Sequence, residues 1–221
     1  MAPRSSSASA GGAVPIRPVR RFIVKSPSAS QPPDQPAFCR GEIAEVLLGA
    51  EQIAARVAAL GAEITRDYAG AEVTVIGVMN GACMFLSDLL RHLDLPLDVD
   101  FVAVHSYGTG TESSGEISML KGPTHSLAGR RVLVVEDIVD TGWTMAWLRR
   151  ELESEAEDVR LCALLDKPER RETDVKIEYL GFEVPNLFVV GYGIDFAHRY
   201  RNLPYVAVLK PEVYEAVGRE Q

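Results

Sequence analysis

The densest chemistry in this sequence lies between Val134 and Thr144, which read Val-Val-Glu136-Asp137-Ile138-Val139-Asp140-Thr141-Gly142-Trp143-Thr144. Three carboxylates follow the apolar run Val132–Val135, and two threonines and a glycine then open a helical pattern carrying Met145, Leu148 and Leu152. A continuous run of β-formers is how a strand covered on both faces of a parallel sheet reads. In such sheets ligands bind beyond the carboxyl ends of the strands. Thr141, Gly142 and Thr144 put hydroxyls and free backbone N–H groups at a helix N-terminus, which cradles phosphate with help from the helix dipole. Gly142 lets the backbone approach an anion closely. Carboxylates beside such a cradle repel its ligand unless Mg²⁺ or sugar hydroxyls lie between them. A ribose diol donates to carboxylates, and Mg²⁺ takes carboxylate and phosphate oxygens together. The plainer alternative makes Asp140 and Thr141 simple helix N-caps. That suffices for a lone Asp-Thr-Gly, but not for an apolar strand followed by Glu-Asp-x-x-Asp-Thr-Gly-x-Thr.

The elements around this segment alternate. Ile53, Val57, Leu60 and Ile64 step by four, three and four and predict an amphipathic helix over 50–68, with Gly70 just past its end. Val73–Met79 is a β-rich run, and Asn80-Gly81-Ala82 turns into a second helix with Phe85, Leu86, Leu89, Leu90 and Leu93. A strand is expected over 100–106. The polar, Gly-rich stretch from Tyr107 to Gly115 reads as a mobile loop, longer than a plain hairpin connection and suited to an active-site lid. Further strands are expected at 159–165, 175–180, 187–191 and 205–209, and a short helix after Pro211. Strands alternating with helices imply a right-handed βαβ sheet, an α/β fold.

Composition limits the classes. The 221 residues are 47% hydrophobic and 24% charged, the globular range, with a net charge of −8. Six basic residues against Asp34 give residues 1–40 a net +5, which leaves −13 for the rest. An acidic body is a poor non-specific binder of nucleic acid, and no stretch approaches the ~18 apolar residues of a membrane span. Residues 1–40 hold seven of the 13 prolines and many serines, so they are expected to form a disordered basic extension, with a transit peptide or binding arm as the lesser reading. Residues 41–221 would form the domain. Cys39, Cys83 and Cys162 have no zinc or disulfide spacing, which fits a reduced, cytoplasmic setting; Cys83 and Cys162 read as buried inert thiols. His92, His105, His125 and His198 form no Ser-His-Asp or metal pattern, though His105 precedes the lid and a pyrophosphate contact is conceivable for it.

The acidic segment resembles the phosphoribosyl-pyrophosphate signature of type I phosphoribosyltransferases, and its Glu136-Asp137 pair is similar to the hypoxanthine-guanine branch. The likeness runs from about residue 43 to 209. It takes in Ser106-Tyr107, Leu164-Leu-Asp-Lys167, Phe182-Glu-Val-Pro185, Phe188-Val-Val-Gly-Tyr-Gly-Ile-Asp195 and Tyr200-Arg201-Asn-Leu-Pro204. It implies a twisted, mainly parallel sheet flanked by helices, with a small hood formed by the chain ends. It also implies an enzyme that joins a 6-oxopurine to ribose C1 of phosphoribosyl pyrophosphate, with Mg²⁺ and as a homo-oligomer, dimer or tetramer.

Carried over by residue, the resemblance places Glu136, Asp137, Ile138, Val139, Asp140, Thr141, Gly142 and Thr144 around the ribose and 5′-phosphate. Glu136, Asp137 and Asp195 would hold Mg²⁺ through water, and Asp140 would take the purine N7 proton as general base. Lys167 would meet purine O6, against the alternative of a solvated lysine; adenine's 6-amino group would leave donor facing donor there. Phe188 would stack on the base, Val189 would offer backbone groups to its edge, and Asp195 would meet a 2-amino group; core packing is the alternative for Phe188 and Val189. Arg201, Asn80 and Gly81 would bind pyrophosphate, Arg201 through its planar donor fork. Many family members carry Lys-Gly where this chain has Asn80-Gly81, so that loop brings no charge. Ser106 and Tyr107 would open the lid, while Trp143 would cover the site or pack locally. Xanthine stays open as the preferred base. A pyrimidine enzyme would not need Lys167 and the 188–195 stretch, and a non-catalytic sensor of phosphoribosyl pyrophosphate is disfavoured by Asp140.

Overall fold

The computed structural model describes residues 22–24, 35–106 and 117–217. Its centre is a six-stranded sheet in the order β4-β3-β2-β5-β6-β7. The strands are β2 (Val73–Met79), β3 (Leu97–Ser106), β4 (Ile117–Lys121), β5 (Arg131–Val139), β6 (Asp158–Asp166) and β7 (Tyr179–Glu183). All neighbours pair parallel except β4, which runs antiparallel to β3 at one edge. Alternation sorts each central strand onto two buried faces. Leu133, Val135, Cys162 and Leu164 face one apolar cluster, whereas Val132, Val134, Leu161 and Ala163 face the other. Helices α1 (Ala50–Asp67) and α2 (Cys83–Leu90) cover the first face, and α3 (Trp143–Glu153) covers the second. Ile53, Val57, Leu60 and Ile64 are all buried in α1, as their spacing requires. Among the described residues no helix is long and apolar enough to cross a membrane.

A second, antiparallel sheet of three strands, β1-β9-β8, sits apart as a hood. It joins β1 (Ile43–Leu48), near the start of the described domain, to β8 (Val189–Val190) and β9 (Val206–Leu209), near its end. The short helix α4 (Pro211–Val217) follows β9 directly.

Several details differ from the sequence expectation. β1 and β4 were not anticipated, because β1 is defined by its distant partner β9 and β4 by its return onto β3 across the Gly-rich stretch. The strand expected over 175–180 begins only at Tyr179, where pairing with Cys162 starts. Before it, Glu178 is drawn to Arg149 and to the Leu161 N–H. Only Val189 and Val190 of 187–191 join a ladder. Cys83 is exposed at the start of α2, whereas Cys162 is buried as expected. Of residues 1–40, 1–21 and 25–34 lie outside the described residues. Residues 22–24 depart from the expected disorder: Val24 N–H donates to Glu183 O, and Glu183 N–H to Phe22 O, each at 3.0 Å. They pair with the open edge of β7, and the Phe22 ring lies 4.5 Å from the Arg56 guanidinium. Residues 37–39 form a 3₁₀ turn that buries Cys39.

Candidate active site

The carboxyl ends of β2, β5 and β6 deliver the acidic segment, Asn80-Gly81 and Lys167 to one end of the sheet. Glu136 and Asp137 are the last-but-three and last-but-two residues of β5, and both are buried. Glu136 Oε1 accepts the Asp137 N–H (3.0 Å), while Asp137 Oδ1 accepts the Ile138 N–H (2.9 Å). Burial, reinforced by the neighbouring charge of Asp137, holds the Glu136 carboxyl well above the usual glutamate range.

Past β5 the chain passes Asp140 and Thr141 and enters α3 through Gly142, whose φ of +93° is left-handed. A side chain there would strain the backbone, and a Cβ would also fall 3.0 Å from Thr173 O and from Arg171 Cδ. The 171–173 segment therefore packs behind the helix entrance, held by the Glu172 N–H on Thr141 O (2.9 Å). Trp143 packs locally, its indole N–H donating to Glu172 (3.0 Å). The first-turn N–H groups of α3 lack intrahelical acceptors, which is the condition for an anion cradle.

Lys167 follows β6, and its N–H donates to Val139 O at 3.0 Å. Its side chain is buried, and burial pulls the ammonium below the ordinary lysine value, with Asp140 opposing the shift and Arg170 adding to it. Asp140 is close to half exposed and forms an ion pair with Arg170, Nε to Oδ1 2.7 Å. Lys167, Asp140 and Arg170 thus make one charged group beside the α3 entrance.

A second group gathers around Gly81. A Cβ on Gly81 would come within 2.0 Å of Asp137 Oδ2, and one on Gly193 within 2.1 Å of Gly81 O. Arg201 donates to Gly193 O (2.7 Å) and pairs with Asp195 (2.6 Å), whose other oxygen accepts the His198 N–H (2.9 Å). Asp137, Gly81, Gly193, Arg201 and Asp195 are therefore in successive contact. The loop carrying the last three holds Tyr192, Ala197, His198 and Tyr200 at positive φ, a conformation uncommon for residues with side chains. Internal hydrogen bonds, such as Gly193 N–H to Arg201 O (2.9 Å), fix it.

Phe188, just before β8, is 39% exposed, and the Val189 side chain packs into the main core. Asn80 is exposed, and Ser106 ends β3 opposite Ile117. Tyr107 and the remainder of the Gly-rich loop lie outside the described residues. Among the described residues no three potential ligands gather as a metal site, so Glu136, Asp137 and Asp195 do not form a closed cage. Sequence reasoning missed Arg170 and Arg171. Their signal was a basic pair close after Lys167, complementary to the acidic segment; Arg171 pairs with Asp166.

Comparison with known proteins agrees with this geometry. The family model for the phosphoribosyl transferase domain matches residues 45–197. The hypoxanthine-guanine phosphoribosyltransferase of Bacillus subtilis is 47% identical over 176 residues, covering 79% of this chain and 98% of its own. The enzyme of that name from Mycobacterium tuberculosis is 44% identical over 200 residues, covering 87% of this chain and 99% of its own. A crystal structure of a hypoxanthine phosphoribosyltransferase from Staphylococcus aureus superposes with a TM-score of 0.78 at 41% identity, covering 82% of this chain and 99% of that one. Likeness of sequence and of fold thus agree over most of the chain, and this chain belongs to the phosphoribosyltransferase family, among the hypoxanthine-guanine phosphoribosyltransferases.

Proposed function

We propose that this chain transfers the 5-phosphoribosyl group from phosphoribosyl pyrophosphate to N9 of hypoxanthine or guanine. The products are IMP or GMP and pyrophosphate, so the reaction is one of purine salvage. The observation that carries the reading is the gathering of two groups at the carboxyl end of the sheet. One is the α3 entrance with Asp140 and Lys167, and the other is the linked Asp137–Gly81–Gly193–Arg201–Asp195 contacts.

The roles follow from the chemistry. Thr141, Gly142 and Thr144 bind the 5′-phosphate through N–H and hydroxyl groups, and Ile138 and Val139 lead the backbone into place. Asp137, backed by Glu136, holds the ribose hydroxyls and stabilises the positive charge that develops at C1. Asp140 accepts the N7 proton, exchanging Arg170 for the base as its partner. The Lys167 ammonium donates to purine O6, Phe188 stacks on the ring, and Val189 offers its backbone to the purine edge. Arg201, Asn80 and Gly81 take the pyrophosphate. The loop opened by Ser106 and Tyr107 excludes water, which would otherwise capture the sugar.

Mg²⁺ fits the donors present. It takes one or two carboxylates and fills its shell with water and substrate phosphate oxygens, so a closed protein cage is not needed. Asp137 and Asp195 would hold its water shell, with Glu136 the least available of the three because it is turned onto its own backbone. When bound, the ion offsets the charge of the leaving pyrophosphate. The reading includes a cytoplasmic homo-oligomer, dimer or tetramer. It is tested by incubating the full chain with phosphoribosyl pyrophosphate, Mg²⁺ and hypoxanthine, guanine, xanthine or adenine in separate reactions. Nucleotide is expected from hypoxanthine and guanine and not from adenine; its absence from every 6-oxopurine would sink the reading.

A further inference from the structure

Two described rings hold Phe188. The Tyr214 ring, from α4, stacks against it with centroids 4.6 Å apart and planes inclined by 16°. Phe196 meets it edge-on, at 5.4 Å and 90°. Tyr214 and Phe196 both pack with the apolar cluster on the outer face of the hood, which contains Ile43, Val190 and Leu209. Val189, next to Phe188, points the opposite way into the main core. Phe188, with one face stacked and one edge abutted by these rings, remains 39% exposed. The backbone fixes α4 in the same place: Leu209 N–H donates to Phe188 O (2.9 Å), and Pro211 opens the helix two residues later.

A half-exposed ring just before a two-residue strand has no ladder to set its plane. Stacked aromatic pairs hold a preferred relative geometry. A base that must present a ring nitrogen to a sugar carbon gains from a fixed platform, because small misplacements cost rate. We propose that Tyr214 is a positioning residue for the purine: it fixes the plane of Phe188 from behind, so that a 6-oxopurine lies on the open face as the third ring of the stack. This rests on Phe188 being the residue that contacts the base.

The test is steady-state kinetics on the full chain, varying hypoxanthine and phosphoribosyl pyrophosphate in turn. Tyr214→Ala should raise the KM for hypoxanthine by about threefold to tenfold, the range of an aromatic pair. The KM for phosphoribosyl pyrophosphate and the kcat should hold within about twofold, and Tyr214→Phe should restore the parent value. In a Phe188→Ala background, adding Tyr214→Ala should change the hypoxanthine KM by less than about twofold, because the two act as one unit. Should Tyr214→Ala fail to fold, Tyr214→Leu against Tyr214→Phe carries the same comparison, apolar volume without and with the ring. If Phe188→Ala raises the hypoxanthine KM but Tyr214→Ala leaves it unchanged, the inference fails and the role of Phe188 stands. A lower KM in Tyr214→Ala would mean that the tyrosine occupies the place of the base, which also overturns it. Additive effects in the double variant would show that Tyr214 does not act through Phe188. A hypoxanthine KM unmoved by Phe188→Ala would instead remove the reading on which the inference depends.

Discussion

At the amino ends of β2, β5 and β6, charges meet in pairs at the surface. Arg130 bonds Asp98 (2.6 Å) and the Thr74 hydroxyl (3.2 Å), and Arg131 faces Glu157 at 3.5 Å. An open cleft of about 630 Å³ lies among these groups. At the carboxyl ends of the same strands, charged groups are crowded together and partly buried. Glu136 and Asp137 are adjacent and buried, and Lys167 is buried at a cost to its own charge. Glycine is required at 81 and 142 by contact and backbone angle. Charge is present at both ends, and a cleft at the amino end, so neither room nor charge by itself identifies the site. What distinguishes the carboxyl end is that its groups are held in states that cost stability, as expected where a ligand supplies the missing partner.

That contrast can be broken by substitution, beginning at the carboxyl end. Asp140→Asn should lower kcat by about a hundredfold or more, the usual range for a lost general base, with little change in the KM for phosphoribosyl pyrophosphate. A kcat near the parent value would remove Asp140 from the chemistry. Lys167→Met should raise the KM for hypoxanthine by about tenfold to a hundredfold, the worth of a hydrogen bond from a charged group. The same variant should melt at a higher temperature. The cost of burying the ammonium is present at pH values below its lowered folded-state pKa and is relieved as pH rises through it toward the ordinary 10.5. The gain in melting temperature should therefore shrink as pH rises, and a pH-independent gain would show that burial of charge is not its source.

Gly81→Ala should raise the KM for phosphoribosyl pyrophosphate by about tenfold, since overpacking costs about 1–3 kcal/mol and Asp137 is what must move. Unchanged kinetics would mean that this contact is slack. The smallest effect is expected at the amino end. Arg130→Ala should cost less than about 1 kcal/mol in a denaturant melt and leave every kinetic constant in place, because Arg130 and its ion-pair partner Asp98 are both exposed. A marked loss of activity there would defeat the contrast between the two ends.

Much of the molecule was legible along the chain. Ile53, Val57, Leu60 and Ile64 mark the buried face of α1 because a helix repeats locally, and Val132–Val135 marks a doubly covered strand for the same kind of reason. Glu136 to Thr144 was legible because a strand end, a turn and a helix start place neighbouring residues on one ligand. β1 and β4 were not, since each becomes a strand by pairing with residues elsewhere. Nor was the place of residues 22–24, whose partner is the open edge of β7.

The sequence by itself determined the α/β alternation, the acidic segment and the helix entrance beside it, because these depend on spacings of a few residues. The tertiary structure alone decided which distant groups meet. Gly81 against Asp137 and against Gly193, Arg170 on Asp140, the 171–173 segment behind Gly142 and Tyr214 behind Phe188 are contacts of this kind. Nothing in local periodicity encodes them. They follow from packing the described sheets and helices so that buried apolar faces and backbone groups are satisfied together.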